Sequence, residues 1–172
     1  MGLTFDERPP YIGVIGAGEA TPMELGRAEE VGRLLAREGA VLVCGGLGGV
    51  MDAAARGCAA EGGLSIGLLP GDDRSPASPH LTAAVATGLG EARNAVIARS
   101  VDAAIAIGGG YGTLSEIGLV AKMGKRVVGL GTWDPPDPGG RLLRATTAHG
   151  AVRAALEAAG HAGVPLEDED PG

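Results

Sequence analysis

Ala103-Ala104-Ile105-Ala106-Ile107-Gly108-Gly109-Gly110-Tyr111-Gly112-Thr113-Leu114-Ser115-Glu116 is the stretch that decides the fold. Its first five residues are all apolar and read as a buried strand. From Leu114 onward, apolar and small residues recur at helical spacing, at Ile117, Gly118, Val120 and Ala121. A glycine-rich turn between a strand and a helix start is suited to an anion, because backbone N–H groups point outward there and the helix dipole favours negative charge. Missing side chains let a phosphate touch the main chain. Gly109, Gly110, Tyr111, Gly112 and Thr113 are therefore the candidate phosphate contacts. Glu116 lies about one turn into the helix and can meet whatever the phosphate carries.

Two more strands run into glycine turns. Residues 11–15 lead into Gly16-Ala17-Gly18, and residues 40–44 lead into Gly45-Gly46-Leu47-Gly48-Gly49. Helical periodicity follows each, over 23–38 with Thr21 as N-cap and over 50–61. Further strands are expected at 64–69, 82–86, 101–107 and 126–130. Helices are expected at 91–100, 113–123 and 147–159. Segments 70–79 and 133–140 read as loops, the first polar and mobile. This alternation predicts an α/β, three-layer Rossmann-like fold, a mainly parallel sheet with helices on both faces. All three glycine turns should then open onto one edge of the sheet, adding Gly16, Gly45 and Gly46 to the candidate ligand contacts.

The 172 residues suit one domain, with its core over about 11–160 and an acidic tail at 165–172. A net charge of −7 and an aromatic content of 2% argue against a nucleic-acid or anionic-membrane surface. No targeting signal or membrane-length apolar run appears, so a cytoplasmic protein is expected. Cys44 and Cys58 lack metal-ligand spacing, and Cys44 reads as an inert core thiol; no metal site is expected. His80, His149 and His161 read as surface residues. Asp72 and Asp73 read as loop solvation rather than metal ligands. Gly16-x-Gly18 is followed by Thr21 where a dinucleotide fingerprint needs glycine, and the second strand ends in Cys44-Gly45 without the ribose-binding acid. A P-loop is absent too. A mononucleotide or sugar-phosphate site remains, with Arg93 as a candidate arm to phosphate or ribose.

Gly109-Gly110-Tyr111-Gly112-Thr113-Leu114-Ser115-Glu116 resembles the P-G-G-x-G-T-x-x-E signature of the Lonely Guy (LOG) family, once described as lysine decarboxylases. Cys44-Gly45-Gly46 with Gly48-Gly49-Val50-Met51-Asp52 is similar in order, as is the arginine-bearing helix before the signature strand. The resemblance spans about residues 11–131. It implies a nucleoside 5′-monophosphate phosphoribohydrolase that releases free base and ribose 5-phosphate, with Arg93 and Glu116 as the catalytic pair. A carboxylate there can stabilise the positive charge that develops on ribose.

Three positions depart from the pattern: Gly108 replaces the family proline, Ser115-Glu116 replaces Glu-Glu, and Arg93-Asn94 replaces Arg-Lys. The segment 87–94 resembles a LOG-like branch that includes molybdenum-cofactor carrier proteins, within a wider group distantly related to DNA-processing protein A. That branch implies the alternative, a carrier of a phosphorylated pterin or nucleotide without turnover. No cofactor is required in either case; AMP-like nucleotide, phosphate or molybdopterin are the implied ligands. The resemblance also implies a homodimer or homotetramer; the Ala-rich segments 91–100 and 113–123 are candidate packing faces between copies or, equally, internal core.

Overall fold

The computed structural model describes residues 8–161. The acidic tail lies outside them. Seven strands form one sheet: β1 (Tyr11–Gly16), β2 (Val41–Cys44), β3 (Leu64–Leu69), β4 (Ala83–Ala86), β5 (Ala103–Ile107), β6 (Arg126–Leu130) and β7 (Leu142–Arg144). Their order is β4-β3-β2-β1-β5-β6-β7, and every neighbouring pair is parallel. The helices are α1 (Pro22–Arg37), α2 (Val50–Ala60), α3 (Arg93–Ser100), α4 (Tyr111–Lys122) and α5 (Ala148–Ala158). The expected Rossmann-like α/β architecture is what the chain adopts.

Side-chain alternation along the strands sorts the helices between two faces. Ile12, Val14, Leu42, Ile105 and Ile107 pack with α1, α2 and α5. Ile15, Ala104 and Ala106 face the opposite way, against Ala98 of α3 and Ile117 and Val120 of α4. The Ala-rich segments 91–100 and 113–123 thus pack on each other and on the sheet. α1 and α2 meet backbone to backbone: a Cβ on Gly57 would lie 1.9 Å from the Glu29 carbonyl oxygen.

The chain leaves β1 for one face and leaves its neighbour β5 for the other. That divergence opens a crevice beyond the carboxyl ends of the two strands, where open α/β sheets take ligands. The three glycine turns do share this edge, as the parallel strands require.

Most element ends shift by a residue or two, and four differences bear on the site. α4 begins at Tyr111 rather than Thr113, because Gly110 adopts extended φ/ψ and serves as its N-cap. A single 3-10 turn, Gly90–Ala92, precedes α3, which starts at Arg93. β7 was not foreseen; three residues offer too little alternation to read. The loop 70–79, expected to be mobile, is tied down at Ser78. That residue is buried, its N–H donates to the Gly46 carbonyl at 2.8 Å, and its hydroxyl donates to Asp52 at 2.6 Å.

Candidate functional site

The three helix N-termini on the crevice edge are not equivalent. At α1, Thr21 and Glu24 form a capping box: the Glu24 N–H donates to Thr21 Oγ1 and the Thr21 N–H to Glu24 Oε2. Glu24 also sets negative charge on that terminus. At α2, Asp52 stands in the first turn, and the Val50 N–H already donates to the Ala17 carbonyl. At α4 there is no side-chain cap and no acid in the first turn. Among the described residues, the N–H groups of Tyr111, Gly112 and Thr113 meet no acceptor. Of the three, only α4 combines a full set of free first-turn N–H groups with the absence of both a side-chain cap and a first-turn acid, so it suits an anion best.

The loop before α4 is fixed from its carbonyl side. Thr132 Oγ1 donates to the Gly108 carbonyl at 2.5 Å, and Trp133 Nε1 donates to the carbonyls of Gly109 and Gly110 at 3.1 and 3.0 Å. Gly108 has φ +53° and Gly109 φ +103°. A Cβ on Gly108 would lie 1.9 Å from Glu24 Oε1. Proline, locked near φ −65°, cannot take this conformation, which accounts for its replacement here.

The expected residues divide on inspection. Gly110 and Gly112 have open space where a side chain would project. Tyr111 is exposed. Thr113 is buried, and its side chain fills the space beside Gly109, so it supports the loop instead of lining its outer surface. Gly16 serves packing: a Cβ there would strike Val50 and the Ile107 carbonyl. Gly45 leaves room for Arg93, whose Nη1 would lie 2.8 Å from a Cβ at that position. Gly46 bonds through its N–H to Cys44 Sγ and through its carbonyl to Ser78.

Arg93 and Glu116 do come together, across α3 and α4. Arg93 Nη1 donates to the carbonyls of Gly45 and Leu68, at the ends of β2 and β3, and Nε donates to Asn94 Oδ1 at 2.8 Å. Burial lowers the Arg93 pKa, and the charge of Glu116 pulls it back up. Burial pushes the Glu116 carboxyl up to about 7, against the downward pull of Arg93. The carboxyl accepts no hydrogen bond among the described residues, so near neutral pH it exists in both protonation states. Burial likewise pushes the Cys44 thiol up to about 11, which keeps it neutral and unreactive.

Sequence reading missed Thr132, Trp133 and Glu24. A T-x-x-E pattern at Thr21 was available as a capping-box signal. Nothing local marks Trp133, because β6 carries it across to the glycine loop from more than twenty residues away.

A seven-stranded parallel sheet with glycine turns and helix N-termini gathered at its switch point defines the Rossmann-like α/β class. The sequence profile of the SLOG cluster4 family matches residues 9–157, and the chain belongs to that family. An uncharacterised protein of Archaeoglobus fulgidus is 48% identical over 119 residues, 69% of this chain and 78% of its own length. The molybdenum cofactor binding protein of Rippkaea orientalis superposes with TM-score 0.82 at 38% identity, covering 87% of this chain and 97% of that one. The molybdenum cofactor carrier protein of Chlamydomonas reinhardtii gives 0.77 at 34% identity, covering 87% and 98%. The wider likeness to DNA-processing protein A holds at the level of the fold alone. Among the described residues no helix is long and apolar enough to cross a membrane, and no group of three or more His, Cys, Asp or Glu is placed to hold a metal ion.

Proposed function

We propose that this protein binds a phosphorylated pterin of the molybdenum-cofactor type, or a nucleotide of similar build, without turning it over. The observation that carries the reading is the N-terminus of α4, which has neither a side-chain cap nor an acid in its first turn and leaves the N–H groups of Tyr111, Gly112 and Thr113 free. The names of its two structural relatives, a molybdenum cofactor binding protein and a molybdenum cofactor carrier protein, support the choice of ligand. The donor set fits the phosphate and offers nothing to the metal: both cysteines are buried, with thiols pushed up to about 11. Molybdenum would travel as cargo on its pterin, with the phosphate as the handle.

A second reading, the phosphoribohydrolase, is favoured by Glu116. A carboxyl that holds its proton near neutrality can protonate a leaving base. In that reaction the C1′–N bond breaks, the base departs with the proton Glu116 supplies, and water adds to C1′ and returns its proton to the Glu116 carboxylate. Arg93 fits this less well, since Nη1 and Nε are engaged by Gly45, Leu68 and Asn94 and only Nη2 remains.

Calorimetric titration with neopterin 3′-monophosphate and AMP, with and without competing inorganic phosphate, tests the binding. Incubation with AMP followed by assay of free adenine tests turnover. Phosphate-competable binding without adenine release is expected. Absence of any phosphate-ester binding sinks both readings. Catalytic adenine release that is lost in Glu116→Gln establishes the second one.

A further inference from the structure

The whole chain contains one Trp, two Tyr and one Phe, and two of these four rings stand together at the glycine loop. The centroids of Tyr111 and Trp133 are 5.7 Å apart with the planes tilted by 31°. Tyr111 is 83% exposed, the most exposed large apolar side chain among the described residues. Trp133 is oriented through its one polar atom: Nε1 is shared between the carbonyls of Gly109 and Gly110, so its edge is turned to the loop. It also forms part of the wall of a cleft of about 260 Å³ lined by Ile117 of α4 and by residues of β6 and β7. Tyr111 is the first residue of α4, and its own N–H is one of the free donors.

We propose that Tyr111 and Trp133 form a platform on which the fused heterocycle of a phosphate-bearing ligand stacks. The inference rests on the phosphate reading above and adds a second point of recognition to it. An anion at the first turn of α4 places its attached groups beside Tyr111, because backbone donor and ring belong to the same residue. Stacking on aromatic side chains tolerates any flat ring, so the platform suits purines and pterins alike. Five residues of helix separate Tyr111 from Glu116, about 140° of rotation and about 7.5 Å of rise. The two side chains therefore serve different parts of one ligand: the ring at Tyr111, the linkage beyond the phosphate at Glu116.

Four probes separate the contributions: inorganic phosphate, ribose 5-phosphate, AMP and neopterin 3′-monophosphate, titrated calorimetrically into the full chain and its variants. Tyr111→Ala should weaken the two ring-bearing probes by roughly tenfold or more, the size expected for one stacked ring. It should leave phosphate and ribose 5-phosphate within about twofold, since the free N–H groups are backbone. Tyr111→Phe should restore the ring-bearing probes. Trp133, the only tryptophan, reports independently: AMP should quench its emission and ribose 5-phosphate should not. The ring-bearing probe that binds more tightly to the wild type identifies the heterocycle. An equal loss for all four probes, or unchanged affinity for the ring-bearing pair, overturns the platform while leaving the phosphate site standing. A Tyr111→Ala variant that changes only the oligomeric state assigns the rings to a contact between copies instead. Failure of every probe to bind the wild type removes the phosphate reading and the platform with it.

Discussion

Replacing Glu116 with Gln should make the protein more stable at neutral and alkaline pH and leave it unchanged in acid. Burial raises the folded-state pKa from an ordinary 4.5 to about 7. Between those values the folded chain keeps a proton that the unfolded chain releases. Stability therefore falls as pH rises through this window and levels off above it. Two and a half pH units at about 1.4 kcal/mol each give an upper limit of about 3 kcal/mol. That limit already includes the opposing attraction of Arg93, and partial solvent access reduces it. Glutamine has the shape of the protonated acid and does not titrate. The variant should thus match the wild type near pH 4.5 and pull ahead across the window, by up to about 3 kcal/mol at pH 8. For a chain of this length that corresponds to roughly 5–10 °C in Tm. Urea unfolding of both proteins at half-unit steps from pH 4.5 to 8.5, followed by circular dichroism, reads the difference directly. Other carboxylates titrate equally in the two proteins and cancel. A stability difference that stays flat with pH would refute the burial of Glu116 as described, and with it the argument that Glu116 can hold a proton for a leaving group.

Gly108→Pro, which restores the residue of the LOG signature, should damage this protein. Its φ of +53° is closed to proline and Glu24 occupies the space, so a loss on the order of 3 kcal/mol is expected by denaturant unfolding, together with loss of phosphate binding. Thr21→Ala removes one half of the α1 capping box and should cost about 1 kcal/mol in the same assay, while phosphate affinity stays within twofold.

The fold was legible because each apolar run was bounded by glycine and followed by helical periodicity. Parallel strands then place every strand-to-helix turn on one edge, so Gly16, Gly45 and Gly109 share a rim by necessity. Which terminus suits an anion best depends on side chains near the others. Thr21 is legible as an N-cap, and Glu24 and Asp52 are equally local to their helices, where a reading of first-turn charge finds them. Trp133 and Thr132 could not be found that way: they reach the glycine loop only because β6 lies beside β5. Tyr111 and Gly112 read as part of the glycine-rich turn; the extended Gly110 caps the helix and starts it at Tyr111 instead.

Two of the three departures from the LOG pattern, Asn94 and Gly108, act together. Asn94, in place of lysine, accepts a hydrogen bond from Arg93 Nε and helps hold the guanidinium against the ends of β2 and β3. Gly108, in place of proline, adopts the positive φ at which its carbonyl accepts from Thr132, in a loop whose next two carbonyls accept from Trp133. One change commits most of an arginine that a hydrolase would turn toward its substrate. The other belongs to a loop whose carbonyls are bonded on one side and whose helix-start N–H groups are free. Both weaken the case for bond cleavage and leave the N–H groups of Tyr111, Gly112 and Thr113 free. A site whose candidate catalytic arginine is tied into the scaffold while its helix-start N–H groups stay free is suited to carrying a phosphorylated ligand.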